Sequence, residues 1–139
     1  MLPAEKFNLD VIHAGVPEIF SPAVELTVLA SHDGVQLDGE PDLIVELIDL
    51  YQEDAQRRVA VMRQSLAKRD WTSVKREAHS LRGSSSNLGA FKLASLCGEI
   101  EGLVPEDQSC DIEALINELE HELERALDVF SAERLRRLQ

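Results

Sequence analysis

One stretch of this sequence gathers residues that could do chemistry: EAHSLRGSSSNLGA, residues 77–90. It sets a histidine among cations and small polar residues. On a helix turning about 100° per residue, with His79 at zero, Lys75 lies roughly 40° to one side and Gly83 roughly 40° to the other. Thr72 and Ser86 fall within about 20° of His79, and Arg76 and Arg82 lie about 60° away on opposite sides. Trp71, Val74, Ala78, Leu81 and Leu88 occupy the opposite face. The spacing therefore points His79 to solvent from a basic stripe rather than into a core. Glu77 is the misfit. It lands about 160° from His79, close to the apolar centre, and is left a rim position or a basic partner.

Neutral imidazole is a good nucleophile, and histidine titrates near neutrality, so a free ring nitrogen is available at pH 7. Flanking cations favour a phosphoryl group beside that nitrogen. Gly83, one turn on, removes a side chain from the path of a docking partner. A mid-helix glycine costs up to about 1 kcal/mol relative to alanine, and close approach of another protein is a reason to keep it. The candidate site is His79 as nucleophile, with Arg82, Gly83, Lys75, Arg76, Ser86 and Thr72 around it.

The elements that must carry this stripe are legible as helices. Residues 41–68 place Leu43, Ile44, Leu47, Ile48, Tyr51, Ala55, Val59, Met62 and Leu66 at steps of three and four. Asp70 is the expected N-cap of the next helix, 71–87, and Gly89 its stop. A further helix is expected over 91–103, a loop over 104–110 containing Pro105, and a last helix from Asp111 through Phe130. A short helix before these runs to Ala30, with Ser21 as N-cap, Pro22 at its first position, and His32-Asp33-Gly34 as its stop. Residues 1–20 read as an N-terminal extension, 21–131 as the domain, and 132–139 as a C-terminal tail that frays. Four single-striped helices with short connections predict an all-α, antiparallel up-down four-helix bundle with an extra short N-terminal helix.

The chain of 139 residues carries 14 basic and 26 acidic side chains, a net charge of −12. That disfavours nucleic acid and anionic membranes as partners. Nine of the basic residues nevertheless fall between Arg57 and Lys92, against only two acids there, Asp70 and Glu77. This is a docking surface for something anionic, or else a solvated helix face. Cys97 and Cys110 make no disulfide framework, and no secretory signal or membrane-length apolar run is present, so a cytoplasmic protein is expected. A closed bundle suits a monomer.

The string AHSLRGSSSNLGA resembles the signature of histidine-containing phosphotransfer (HPt) domains, roughly A-H-x-L-K-G-S-S-x-x-L-G-A. Ala78, His79, Leu81, Gly83, Ser84, Ser85, Leu88, Gly89 and Ala90 match it, while Arg82 stands where the family usually has lysine. Residues 93–103, LASLCGEIEGL, and residues 43–71 are similar to the family's flanking helices. The resemblance implies a helical bundle that serves as a phosphorelay intermediate. His79 would accept a phosphoryl group, by family habit on Nε2, from a receiver-domain aspartyl phosphate and pass it to another receiver. Arg82 would screen the phosphoryl charge, Lys75 would assist, and Gly83 would give clearance. It further implies response-regulator receivers and a hybrid histidine kinase as partners. The chain itself would hold no cofactor, and the receiver would supply Mg²⁺. A chemotaxis-kinase phosphotransfer domain ranks second, because that group runs glycine-rich and aromatic where this chain has Ser-Ser-Ser-Asn-Leu-Gly.

The reading from another class is a helical adaptor that docks receivers without carrying phosphate. A metal centre is disfavoured, since Glu118 and His121 form an i, i+3 pair without its counterpart on a second helix. A hydrolase lacks a nucleophile, base and orienting group in one set.

Overall fold

The computed structural model describes residues 23–31, 42–103 and 105–139. Through them run five helices: α1, Leu26–Ala30; α2, Leu43–Ala67; α3, Trp71–Asn87; α4, Phe91–Gly102; and α5, Pro105–Leu138. No strand occurs among the described residues. The expected Ser21 cap, the His32-Asp33-Gly34 stop and the extension 1–20 lie outside them; the short helix expected from Pro22 begins instead at Leu26, after an extended Glu25. None of the described helices is long and apolar enough to cross a membrane.

Two aspartates start the helices that matter most for the site. The Asp42 carboxylate accepts from the Ile44 and Val45 backbone N–H groups, and Asp70 accepts from the Ser73 N–H and hydroxyl. Each satisfies donors that a helix N-terminus leaves open. Between α2 and α3 the chain reverses through Lys68, Arg69 and Asp70, with Arg69 left-handed at φ 56°.

The reversal between α3 and α4 needs glycine. Gly89 has φ 86°, and a Cβ there would lie 2.6 Å from the Glu25 carbonyl oxygen. The Gly89 carbonyl accepts from the Glu25 N–H at 2.9 Å, so the same turn seats the segment leading into α1.

Short reversals make successive helices antiparallel. Cross-links between α2 and α5 agree: Arg63 near the end of α2 bonds Asn117 and Glu120, and Asp49 near its start bonds Arg134. The apolar stripes close on one core, in which Ile44, Ile48, Met62, Val74, Leu81, Leu93, Ile100, Ile116, Leu119 and Phe130 are fully buried. Burying such a side chain contributes about 1.5–3 kcal/mol each, so stripe closure is the main term holding the bundle.

Two expectations at the ends of α5 are corrected. The loop placed over 104–110 is helical from Pro105 onward. Proline at a first helical position lacks only an N–H that would be unpaired anyway, so it opens the helix rather than breaking it. The tail from Arg134 is helical to Leu138. Arg134 pairs with Asp49, and Arg137 pairs with both Glu133 and Asp42, tying the last turns to the start of α2.

Candidate functional site

His79 lies in the middle of α3 with its side chain 67% exposed. Because α3 and α4 run antiparallel away from the Gly89-Ala90 turn, residues equally distant from Ala90 face one another. Glu101 of α4 thereby meets His79, 22 residues apart in sequence, with Oε2 3.0 Å from Nδ1. Its other oxygen, Oε1, is 3.2 Å from Nη1 of Arg82. That contact is an ion pair without hydrogen-bond alignment, since Oε1 is buried and has no hydrogen-bond partner. One carboxylate thus stands between an imidazole and a guanidinium.

The arrangement has a chemical consequence. An ionised carboxylate only accepts hydrogen bonds, so this contact places the ring proton on Nδ1 and leaves the Nε2 lone pair free. Gly83, one turn from His79, is exposed, and a Cβ there would meet nothing within 4 Å. The surface one turn on from His79 is therefore open.

The remaining candidates are distributed rather than gathered. Lys75 is half-buried one turn before His79 and makes no hydrogen bond or ion pair with the described residues. Arg76 is exposed and donates to the Ser73 hydroxyl at 3.1 Å. Thr72 is exposed and Ser86 half-buried. Each is seven residues from His79, about 10 Å along the axis. Neither belongs to the cluster around the ring. Ser85 is fully buried, and its hydroxyl meets that of Tyr51 at 2.7 Å. Ser84 donates to the Leu81 carbonyl. Glu77 finds a basic partner on α2, Arg58, at 3.2 Å.

Sequence reasoning missed Glu101 and, opposite Arg82, Gly98. A signal for both was present: with the turn centred on Ala90, their distances along α4 mirror those of His79 and Arg82 along α3. Cys97, one turn before Glu101, is buried, and burial pushes its thiol up to about 12. It is inert as a nucleophile near neutral pH. A cavity of about 560 Å³ opens between α2 and α3, lined by Leu47, Leu50, Tyr51, Asp54, Ser84 and Leu88 among others. Among the described residues no three His, Cys, Asp or Glu side chains are grouped to hold a metal ion.

Fold and site together define a helical bundle that presents an exposed histidine, oriented by a carboxylate and flanked by a cation. The Hpt domain model matches residues 46–133, and the chain belongs to that family. A solved structure, histidine-containing phosphotransfer protein B from Pseudomonas aeruginosa PAO1, is similar at 30% identity with a TM-score of 0.68, over 84% of this chain and 97% of that one. Histidine-containing phosphotransfer protein 2 of Arabidopsis thaliana is 35% identical over 66 residues. The phosphorelay intermediate protein rdeA of Dictyostelium discoideum is 26% identical over 94 residues. The matches cover 45% and 68% of this chain, and span only 42% and 37% of those two relatives.

Proposed function

We propose that this protein is a phosphorelay intermediate that carries a phosphoryl group on Nε2 of His79. The observation that carries the reading is the exposed imidazole whose Nδ1 is held by Glu101, leaving Nε2 free, with the surface open at Gly83 one turn on. Membership of the Hpt family and the names of the similar proteins support it.

In the loading step the Nε2 lone pair attacks the phosphorus of a receiver's aspartyl phosphate. The P–Nε2 bond forms as the P–O bond breaks, and the aspartate leaves as a carboxylate with the electron pair. The proton on Nδ1 stays there, and its new positive charge faces Glu101. Passing the group to a second receiver reverses each event, and the ring departs neutral. Arg82 offsets the phosphoryl charge, and Lys75 adds positive potential one turn away. Arg76, Ser86 and Thr72 belong to the surrounding docking face. The receiver contributes the acidic pocket, the aspartate and the Mg²⁺; a hybrid histidine kinase would load the first receiver.

The test is transfer of label from phosphorylated receivers to wild type and to His79→Gln. Label on wild type alone, labile in acid and stable in base as a phosphoramidate is, is the expected result. Equal labelling of both proteins overturns the assignment of His79. Receiver binding without any labelling would favour an adaptor that docks receivers and carries no phosphate.

A further inference from the structure

Gly98 lies in the interior of α4, where glycine lowers helix stability relative to any ordinary residue. Its backbone does not require glycine: among the described residues the only glycine with positive φ is Gly89. Nor is Gly98 pressed by the core. What lies over it is Arg82, whose Cδ and Nη1 are each 3.7 Å from the position a Cβ would occupy. Gly102, one turn on, has nothing within 4 Å. So the glycine inside α4 has an arginine stem laid across it, and the one at its C-terminal end has not.

Gly98 and Glu101 are three residues apart and share one face of α4. Together they make a trough and an anchor. The stem of Arg82 runs across Gly98, and its Nη1 reaches Oε1 of Glu101 at 3.2 Å. The same carboxylate's Oε2 holds His79. A guanidinium is planar and carries five N–H donors, so one edge can rest on the carboxylate while others stay open beside the ring. Lysine, with one compact charge on a flexible stem, has no use for such a trough. We infer that Gly98 is a positioning residue: with Glu101 it forms a seat that fixes the Arg82 guanidinium beside His79, as a preset anchor for the phosphoryl group. A methyl group would meet Arg82 at ordinary contact distance, but a branched side chain at 98 would lift the guanidinium off Glu101.

This rests on His79 taking a phosphoryl group, so the test uses two donors. Phosphoramidate needs no protein partner: its P–N bond breaks as P–Nε2 forms, and ammonia leaves. A phosphorylated receiver is the second donor. Gly98→Leu is expected to fold with unchanged or higher melting temperature, yet to be labelled by phosphoramidate about tenfold more slowly than wild type, the size of losing one charge-assisted contact. Arg82→Ala is expected to slow labelling equally, and Gly98→Leu added to Arg82→Ala to slow it no further. Gly102→Leu is expected to match wild type. Wild-type labelling of Gly98→Leu overturns the seat, as does a further loss in the Arg82→Ala background. If phosphoramidate gives the expected pattern while no receiver labels wild type, the seat stands and the relay reading falls.

Discussion

Ser85 and Ser86 are neighbours in sequence and differ in burial, Ser85 fully buried and Ser86 half-buried. Ser85 is buried against the Tyr51 hydroxyl, which burial pushes above the usual tyrosine range, and Tyr51 packs edge-on against Phe130 at 5.3 Å. The hydroxyl pair joins α3 to the α2–α5 layer and has no part in the exposed stripe. Ser85→Ala strands the tyrosine hydroxyl and is expected to cost about 1–3 kcal/mol in thermal unfolding. Adding Tyr51→Phe, which removes the stranded group, is expected to recover part of that loss. A double variant no more stable than Ser85→Ala would mean that the pair contributes nothing by being satisfied. Helical angle puts Ser86 on the His79 side, where the structure leaves it half-buried rather than fully exposed. The pattern could not say that Ser85 has a partner 34 residues away.

At the scale of the element, α5 depends on carboxylates at its far end. Glu133 takes hydrogen bonds from Arg136 and, after a smaller opposing effect of burial, from Arg137; together they hold its carboxyl at about 2 against an ordinary 4.5. A folded-state value below the unfolded one stabilises fully above the unfolded value and is lost as pH falls through the folded one. The last turns of α5 are therefore expected to be intact above pH 4.5 and to lose protection from amide exchange as pH falls toward 2. Glu133→Gln should abolish that dependence. Identical profiles in both proteins would refute it. Arg137 also reaches Asp42, the cap of α2, so loss of this end loosens the start of α2 too. The expected fraying was read from terminal position, and the ends it missed are fixed by partners on another helix.

At the scale of the whole molecule, charge is spent unevenly. The linear cluster between Arg57 and Lys92 overstates the free positive field, because Arg57 and Arg58 pair with Asp54, Arg58 also with Glu77, and Arg63 with Glu120. On α3, Lys75 and Arg76 remain on the side of His79 beside Arg82, which Glu101 partly offsets, in a chain whose net charge is −12. An acidic partner is attracted to that face and repelled elsewhere, so association should be steered. The association rate with a receiver is expected to fall as salt rises, and Lys75→Glu to lower it several-fold at low salt while leaving the melting temperature within a degree or two. A rate indifferent to salt would mean that apolar contact, not charge, guides docking.

The sequence by itself determined the four long helices apart from the ends of α5, the face each one buries, the exposure of His79 and the clearance at Gly83. These follow from residue spacing along one helix, and a helix of known period carries its own angular map. Only the tertiary structure decided what stands across from that face. Glu101 and Gly98 reach His79 and Arg82 because the Gly89 turn folds α4 back along α3 in one register. Glu77, out of place on its own helix, is explained by Arg58 on the next. Contacts between helices depend on turn geometry and packing register, which no single helix's periodicity contains.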